Sequence, residues 1–395
     1  MLKGIIFDMD GVIIDSEPTH SKAIVNALET LGISLPMEYP YRFIGSTTEY
    51  MLKMIINDFS LSISTKALND LYDEALEILI KEEGYIPVPY VISLIKNLYR
   101  EGYSLAIASS STPEEIAAVT NALEISSCFM KLVSGATVQH PKPAPDVFIK
   151  AVSELNLTAD ECIIIEDSSN GVKAACAAGI PVIGYINPNS GNQDLSLSSI
   201  LIEGFDEIDS DFMKKTYCRY HNLPLVIAET ERLLIKEIPV EDVPSLMDIY
   251  IKPEINKFLP ELYKVSLNSL DTVIQKHKAY IKNMYQFYDL GLWGVYLKTG
   301  ELIGQCGIEP HQSEGSADME IGYLIDIPYQ KKGYAAEAIE AVLTHAVQSL
   351  NIYSLTALIS PENTASIKLA EMSGFSYEKE ITRGGILYHK YRIYK

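Results

Sequence analysis

The sequence predicts an α/β chain of two domains, a doubly wound parallel sheet carrying a helical cap, followed by an α+β domain built on a mixed sheet. Three observations predict this. At 395 residues the chain exceeds a typical single domain, and a hydrophobic content of 47% supplies more than one core. In the first half, short apolar runs alternate with amphipathic stretches, the pattern of parallel strands joined by crossover helices. In the second half, strand patterns follow one another directly before a long helical stretch, as in an antiparallel meander. The expected boundaries are 1–215 for the first domain, with 1–15 and 89–215 as its core and about 16–88 as the cap. A linker is expected at 216–229 and the second domain at 230–395.

Each element has its own signal. Gly4-Ile-Ile-Phe7 is apolar without alternation, so it reads as a strand buried on both faces. From 16 to 86 apolar residues fall at three- and four-residue spacing, as in Ser21–Leu31 and Thr65–Lys81, which predicts helices. Tyr85-Ile-Pro-Val-Pro89 interrupts that pattern, because proline does not continue a helix. Helices are expected next at Tyr90–Arg100, Pro113–Leu123, Asp146–Leu155 and Gly171–Ala178. Strands are expected at Ser104–Ala108, Leu132–Ser134, Cys162–Ile165 and Pro181–Gly184, and the pattern fades near Ser210–Lys215. The second domain opens on the alternating strand Glu231–Ile238, followed by helices at Val243–Tyr250 and Leu267–Tyr285. A meander of Leu292–Leu297, Leu302–Glu309 and Met319–Ile325 comes next. The helix Tyr334–Leu350, the strand Ser354–Ile359, the helix Thr364–Met372 and closing strands complete it.

Composition narrows the function. A net charge of −20 disfavours nonspecific nucleic-acid binding, which needs clustered Lys and Arg, but local N–H groups and single cations can still hold small anions. Five cysteines without a C-x-x-C pair read as free thiols in a reducing compartment, so a cytoplasmic protein is expected. No apolar run approaches the roughly 18 residues of a membrane span, so no membrane partner is expected.

Four groups of residues in the first domain carry chemistry. Asp8 and Asp10 end the first strand, where open α/β sheets place their ligands. Asp8 can act as a nucleophile and Asp10 as its proton-transfer partner, with a cation holding the excess charge; alone, the Asp-Gly step also reads as a solvated turn. Ser109-Ser110-Ser111 offers a hydroxyl and N–H groups to phosphoryl oxygens, or simply caps the next helix. Lys142, set among prolines in His140-Pro-Lys-Pro-Ala-Pro-Asp146, is either aimed at a ligand or a solvated loop lysine. Glu166-Asp167 ends a buried strand and suits a hard cation with oxygen ligands, Mg²⁺ first among them. Taken together these parts fit phosphoryl transfer through an aspartyl phosphate.

In their order, Asp8-Met-Asp10-Gly-Val-Ile-Ile-Asp-Ser-Glu17, Ser109, Lys142-Pro-x-Pro-Asp146 and Glu166-Asp167-Ser-x-x-Gly171 resemble the four motifs of the haloacid dehalogenase superfamily. The resemblance covers 1–212 and is to the β-phosphoglucomutase-like branch, whose cap follows the first strand. It implies Asp8 as nucleophile, Asp10 as general acid/base, and Asp8, Asp10, Glu166 and Asp167 as the metal site. It also implies that Ser109, Ser110 and Lys142 hold the phosphoryl group. His20 matches that branch as well. In the cap segment Gly45-Ser46-Thr47-Thr48-Glu49, however, Thr48 stands where the mutases carry arginine, and 71–79 offers no counterpart of their cap lysine. A mutase must hold a second phosphate, so hydrolysis of a small-molecule phosphate ester is expected, with a sugar phosphomutase as the alternative.

In the second domain the strand Met319–Ile325 runs into Gln330-x-x-Gly333-x-Ala335, which opens a long helix. Gly and Ala let a ligand approach the backbone, and the helix start offers unpaired N–H groups to a pyrophosphate; the bare pattern also fits an ordinary strand–helix turn. With Glu231-Arg-Leu-Leu-Ile-Lys-Glu-Ile238, Gly300-Glu-Leu-Ile-Gly304, Glu320-Ile-Gly-Tyr323 and Asn363-Thr-Ala-Ser-Ile-Lys-Leu-Ala-Glu-Met-Ser-Gly-Phe375, residues 231–395 resemble the GNAT N-acetyltransferases. The branch is the one that includes ribosomal-protein alanine and spermidine acetyltransferases. The resemblance implies acetyl-CoA as co-substrate, with its pantetheine along the backbone of Leu324, Ile325 and Ile327 and touching Asn363. Its pyrophosphate would rest on Gln330, Lys331, Lys332, Gly333, Tyr334 and Ala335. Many relatives place a tyrosine acid where this chain has Ala370, so the thiolate's proton must come from another group or from water, or the rate is modest. Glu320 is the candidate base for the amine, or else a charged strand residue facing solvent; His311 is a weaker candidate.

The expected whole is a bifunctional enzyme, with the amine acceptor a small molecule or a protein N-terminus. The alternative is one catalytic domain with the other as a ligand-sensing module, and Ala370 makes the second domain the candidate sensor.

Overall fold

The computed structural model describes residues 1–43, 48–313 and 316–395. The chain divides into two compact units, Met1–His221 and Asn222–Lys395. The first contains the strands β1 (Gly4–Phe7), β2 (Ser104–Ser109), β3 (Lys131–Ser134), β4 (Cys162–Glu166), β5 (Val182–Tyr185) and β6 (Ile200–Ile202). They form one parallel sheet in the order β3-β2-β1-β4-β5-β6.

Both faces of this sheet are buried, which is why its strands read as continuous apolar runs. Ile5, Phe7, Ile107, Ile163 and Ile165 pack on the helices Val91–Arg100, Pro113–Ala122 and Ser210–Tyr220. On the other face Ile6, Ala106, Ala108 and Ile164 meet the helices Asp146–Glu154 and Ser169–Ala177. The strand order reverses between β1 and β4, so a crevice opens at their carboxyl ends. The inserted helices Glu17–Thr30, Thr48–Asp58 and Thr65–Glu83 gather around a separate apolar cluster that includes Ile24, Leu28, Leu52, Ile55 and Leu68.

The second unit contains β7 (Val226–Glu229), β8 (Leu233–Lys236), β9 (Gly291–Leu297), β10 (Leu302–Ser313), β11 (Ser316–Ile325), β12 (Ser354–Ile359), β13 (Ser376–Arg383) and β14 (Ile386–Tyr394). Its sheet runs β13-β14-β12-β11-β10-β9-β8-β7. Every pairing is antiparallel except β11 with β12, which are parallel and in register at a single pair, Glu320 with Thr356. The helix Tyr334–Gln348 buries Ala338, Ile339, Val342, Leu343 and Ala346 against one face. Leu246, Ile249 and Tyr250 of the helix Val243–Tyr250 meet Leu324 on the other.

Some expectations need correction. Residues 216–229 are not a plain connector. The helix Ser210–Tyr220 buries Met213 and Tyr217, and Val226–Glu229 pairs with β8. Strand β6 escaped notice because two of its three residues are exposed. The β10–β11 hairpin extends beyond the expected strands because residues 310–318 are too polar to signal one. The expected helix Leu267–Tyr285 begins at Leu270, where Ser269 caps it, and continues as a π-helix over Ile281–Tyr288. Of the cap segment 45–49, only Thr48 and Glu49 fall within the described residues; they begin the helix Thr48–Asp58.

Candidate active sites

Register brings the acids of the first unit together. Phe7 lies beside Ile165, so Asp8 and Glu166 leave adjacent strand ends, and the Asp8 N–H donates to Ile165 O at 3.0 Å. With Asp167 they form a buried group whose carboxylate oxygens lie within 4.8 Å of one another. Lys142 Nζ donates to Asp8 Oδ1 and Glu166 Oε1, each at 2.7 Å, and to Ala108 O at 3.1 Å. The proline-flanked loop thus aims its ammonium inward. The second oxygen of Glu166 accepts the Ser168 N–H at 2.8 Å, and Asp167 accepts the Ser190 hydroxyl. Asp10 accepts the Ser111 hydroxyl at 2.6 Å and lies 3.4 Å from the Ser109 hydroxyl. Ser109 is buried at the site, whereas Ser110 is exposed.

Two glycines make room for these carboxylates. A Cβ on Gly171 would lie 1.6 Å from Glu166 Oε1, and one on Gly11, at φ +80°, would lie 1.9 Å from Asp167 Oδ2. Burial pushes the Asp8 carboxyl up to about 7, reinforced by Glu166 and Asp10 and opposed by Lys142. Asp167 is also raised, by burial and then by Glu166 and Asp8. Burial alone would lower Lys142, but Asp8 and Glu166 outweigh it and hold the ammonium charged. One ammonium does not balance three buried acids. The donor set fits a hard divalent cation with oxygen ligands.

Sequence reasoning named Ser111 only as part of a serine run, and it missed Ser190 and Asn187, whose amide donates to Gly11 O at 2.9 Å. The available signal was the polar loop following β5, which ends on the same edge of the sheet.

Beside Asp10 a cavity of about 310 Å³ opens beneath the cap. Phe43, Met51, Leu76 and Ile80 form part of its apolar wall, and Asp15, Glu17, Glu115, His20 and Tyr72 also line it. His20 Nδ1 lies 2.5 Å from the Tyr72 hydroxyl, and burial lowers the imidazole's affinity for a proton. Burial raises the Glu17 carboxyl, with Asp10 and Asp15 adding to the effect.

In the second unit, β11 and β12 part beyond Glu320–Thr356, so among the described residues the β12-facing edge of residues 321–325 has no strand partner. Leu324 and Ile325 lie on this stretch, and Ile327 begins the 3₁₀ turn Ile327–Tyr329. Gln330 holds the following loop to the strand by donating to Ile325 O at 2.8 Å. Lys331 and Gly333 have positive φ, +62° and +86°, and the loop delivers the chain to Tyr334 and Ala335 at the helix start. Among the described residues no backbone acceptor meets the N–H groups of residues 331–336. Arg232, not singled out from the sequence, braces this turn through Lys332 O at 3.0 Å, Glu337 and the Tyr334 ring.

Asn363 caps the helix Thr364–Met372 by accepting the Ser366 N–H at 3.1 Å. Glu320 is paired with Arg383 at 2.9 Å, which occupies a carboxylate oxygen that a base would need. His311 sits opposite Asp318 in the hairpin. Ala370 is buried and offers no acid, but the Tyr323 hydroxyl crosses to Ser366 O at 3.2 Å on the same helix.

Residues 5–185 match the family model described as haloacid dehalogenase-like hydrolase, and residues 232–376 match that described as acetyltransferase (GNAT) domain. The chain is therefore an enzyme that joins a haloacid dehalogenase-like hydrolase domain to a GNAT acetyltransferase domain. Fructose-1-phosphate phosphatase YqaB of Escherichia coli is 29% identical over 180 residues, covering 46% of this chain and 94% of that protein. Phosphoglycolate phosphatase of Salmonella typhi is 24% identical over 230 residues, covering 52% and 91%. A solved structure of a putative beta-phosphoglucomutase from Thermotoga maritima aligns at 24% identity and a TM-score of 0.47, covering 51% of this chain and 94% of that one.

Proposed function

We propose that the first unit is a Mg²⁺-dependent phosphatase acting on a small phosphate monoester through an aspartyl phosphate. The observation that carries this is the convergence of Asp8, Glu166, Asp167 and Lys142 on one buried point. Asp8 attacks phosphorus as the bond to the leaving oxygen breaks, and Asp10 gives that oxygen a proton. Water then attacks phosphorus, Asp10 takes its proton, and the bond to Asp8 breaks to release phosphate. Lys142 and the Ser109 region hold the phosphoryl oxygens. Held by Asp8, Asp167, Glu166 and the Asp10 carbonyl, Mg²⁺ would supply positive charge against the transferring group. The names of the phosphatase relatives, which act on fructose 1-phosphate and phosphoglycolate, agree with a small monoester. A mutase would need a second phosphate subsite, and no lysine or arginine lines the cap cavity among the described residues.

The second unit is proposed to transfer acetyl from acetyl-CoA to a primary amine. The parted strands leave room for the pantetheine between β11 and β12, and the open N–H groups of 331–336 suit its pyrophosphate. The amine attacks the thioester carbonyl and the thiolate leaves. Glu320 serves as base only if Arg383 releases it, and Tyr323 supplies a phenol on the same side as Ala370.

Phosphate release from a panel of sugar and nucleotide monophosphates, with and without EDTA, tests the first activity. Full turnover by metal-free protein would sink the Mg²⁺ claim. Thiol release from acetyl-CoA with an amine panel tests the second, and CoA binding without turnover would favour a sensing role.

A further inference from the structure

The cavity beneath the cap is one-sided in charge. Asp10, Asp15, Glu17 and Glu115 line it, and among the described residues no lysine or arginine does. Residues 44–47, outside the described set, are Ile, Gly, Ser and Thr, none of them basic. Lys142 is committed to Asp8 and Glu166 and does not line the cavity. Two of the acids also carry oxygens that no hydrogen bond meets among the described residues. Asp15 Oδ2 accepts from Asn189 at 2.6 Å, but its Oδ1 is buried without a hydrogen bond. Glu17 makes no side-chain hydrogen bond among the described residues, although burial and its acidic neighbours penalise its charge.

A divalent cation at Asp8, Glu166 and Asp167 would offset the charge there. Glu17, on the first cap helix, and Glu115, on the helix Pro113–Ala122, belong to neither that group nor its strands. Glu115 Oε2 already accepts the Thr112 N–H and hydroxyl in a capping box, so Glu17 and the free oxygen of Asp15 are what a ligand would answer. A second phosphate or a carboxylate in this space would add to the repulsion, whereas an ammonium would remove it and donate to oxygens now without partners.

Building on the phosphatase reading above, we propose that the phosphate ester hydrolysed by the first unit carries a protonated amine on its alcohol portion. The ammonium faces Asp15 and Glu17, and the apolar wall of the cavity covers the carbon skeleton. A volume of about 310 Å³ suits an amino alcohol or a single amino sugar. The product is then a primary amine, the chemical class that an N-acetyltransferase accepts.

The test compares esters matched in size and differing in one terminal group. Ethanolamine phosphate, 2-hydroxyethyl phosphate and phosphoglycolate form one series; glucosamine 6-phosphate, glucose 6-phosphate and 6-phosphogluconate form the other. With saturating Mg²⁺ at low ionic strength, kcat/KM in at least one series should favour the ammonium ester over the neutral one by about tenfold, and disfavour the anion by a similar factor. Added salt should compress both ratios. Glu17→Gln should shrink the ammonium-to-neutral ratio several-fold, and a ratio is not moved by a general loss of folded enzyme. A ratio near one in wild type, a preference for the anionic esters, or an unchanged ratio in Glu17→Gln would overturn the proposal. If p-nitrophenyl phosphate is cleaved but the ammonium esters are not, the substrate class alone fails. If no ester in either series nor p-nitrophenyl phosphate is cleaved, the phosphatase reading fails and this proposal with it.

Discussion

At the scale of single residues, the first site depends on what is missing as much as on what is present. Gly171 has no Cβ because Glu166 occupies that space, so Gly171→Ala must displace a buried carboxylate that also holds Lys142. We expect a stability loss of about 1–3 kcal/mol, the usual cost of overpacking, and a fall in phosphatase kcat/KM of about a hundredfold. Denaturant melts and steady-state kinetics on one preparation check both, and an active, fully stable variant would mean that Glu166 is not needed where it stands. The raised Asp8 carboxyl has a second consequence. Without a cation the folded site holds a proton up to about pH 7 that the unfolded chain releases from about pH 4, so stability from this group is lost as pH rises through that window. Mg²⁺ competes with the proton, and the rise in Tm when Mg²⁺ is added to EDTA-treated protein should grow between about pH 5.5 and about pH 8. Calorimetry measures it, and an increment that ignores pH would mean no proton leaves Asp8. The Asp8-x-Asp10 pair and Lys142 were legible from the sequence because strand ends and prolines constrain them. Ser190 was not, because a serine in a polar loop has no local signal until β5 brings it to Asp167.

At the scale of elements, the loop from β11 into the helix Tyr334–Gln348 carries the acetyl-CoA site proposed above. Gly333 sits at φ +86°, where a side chain is strained, and a glutamate there would add negative charge beside the open N–H groups. Gly333→Glu should weaken acetyl-CoA binding by about tenfold or more, roughly 1.4 kcal/mol. Isothermal titration of wild type and variant decides the matter, and equal affinities would reduce this loop to an ordinary turn. Elements with strong periodicity were legible almost to the residue, as with Val243–Tyr250, Ser354–Ile359 and Thr364–Met372. Those that depend on distant pairing were not. Strand β6 is short and mostly exposed, and β7 looked like connector until β8 lay beside it. Glu320 was legible as a mid-strand acid, but its pairing with Arg383 comes from a strand more than sixty residues away.

At the scale of the whole chain, each unit has its own apolar clusters, which is what the change of pattern in the sequence implied. The two chemistries should therefore separate by mutation. Asp8→Asn should abolish phosphate release, since an amide does not form the aspartyl phosphate, and leave acetyl transfer unchanged. Gly333→Glu should weaken acetyl transfer through its lower acetyl-CoA affinity and leave phosphate release unchanged. Assaying both activities in both variants gives the answer, and a loss of acetyl transfer in Asp8→Asn would mean that the units are energetically coupled. The two-part organisation was legible because hydrophobic periodicity changes between the halves. The boundary was not, because 216–229 contributes to elements on both sides of it.

The eight strands of the second unit form one sheet in name but two ladders in their backbone pairing, since among the described residues β12, β14 and β13 meet the rest at a single registered pair, with side-chain contacts such as Arg383–Glu320 and Lys390–Asp318 crossing beside it. Amide protons along 321–325 on the open edge should exchange with heavy water faster than those of β9 and β10, whose neighbours are complete. A thioester ligand laid into the gap would act as a ninth strand. It would slow exchange on both ladders at once and raise the free energy of opening by about 2.7 kcal/mol at a hundred times its dissociation constant. The co-substrate would then be a missing structural member of the sheet, which makes this half of the chain more cooperative when it is loaded than when it is empty.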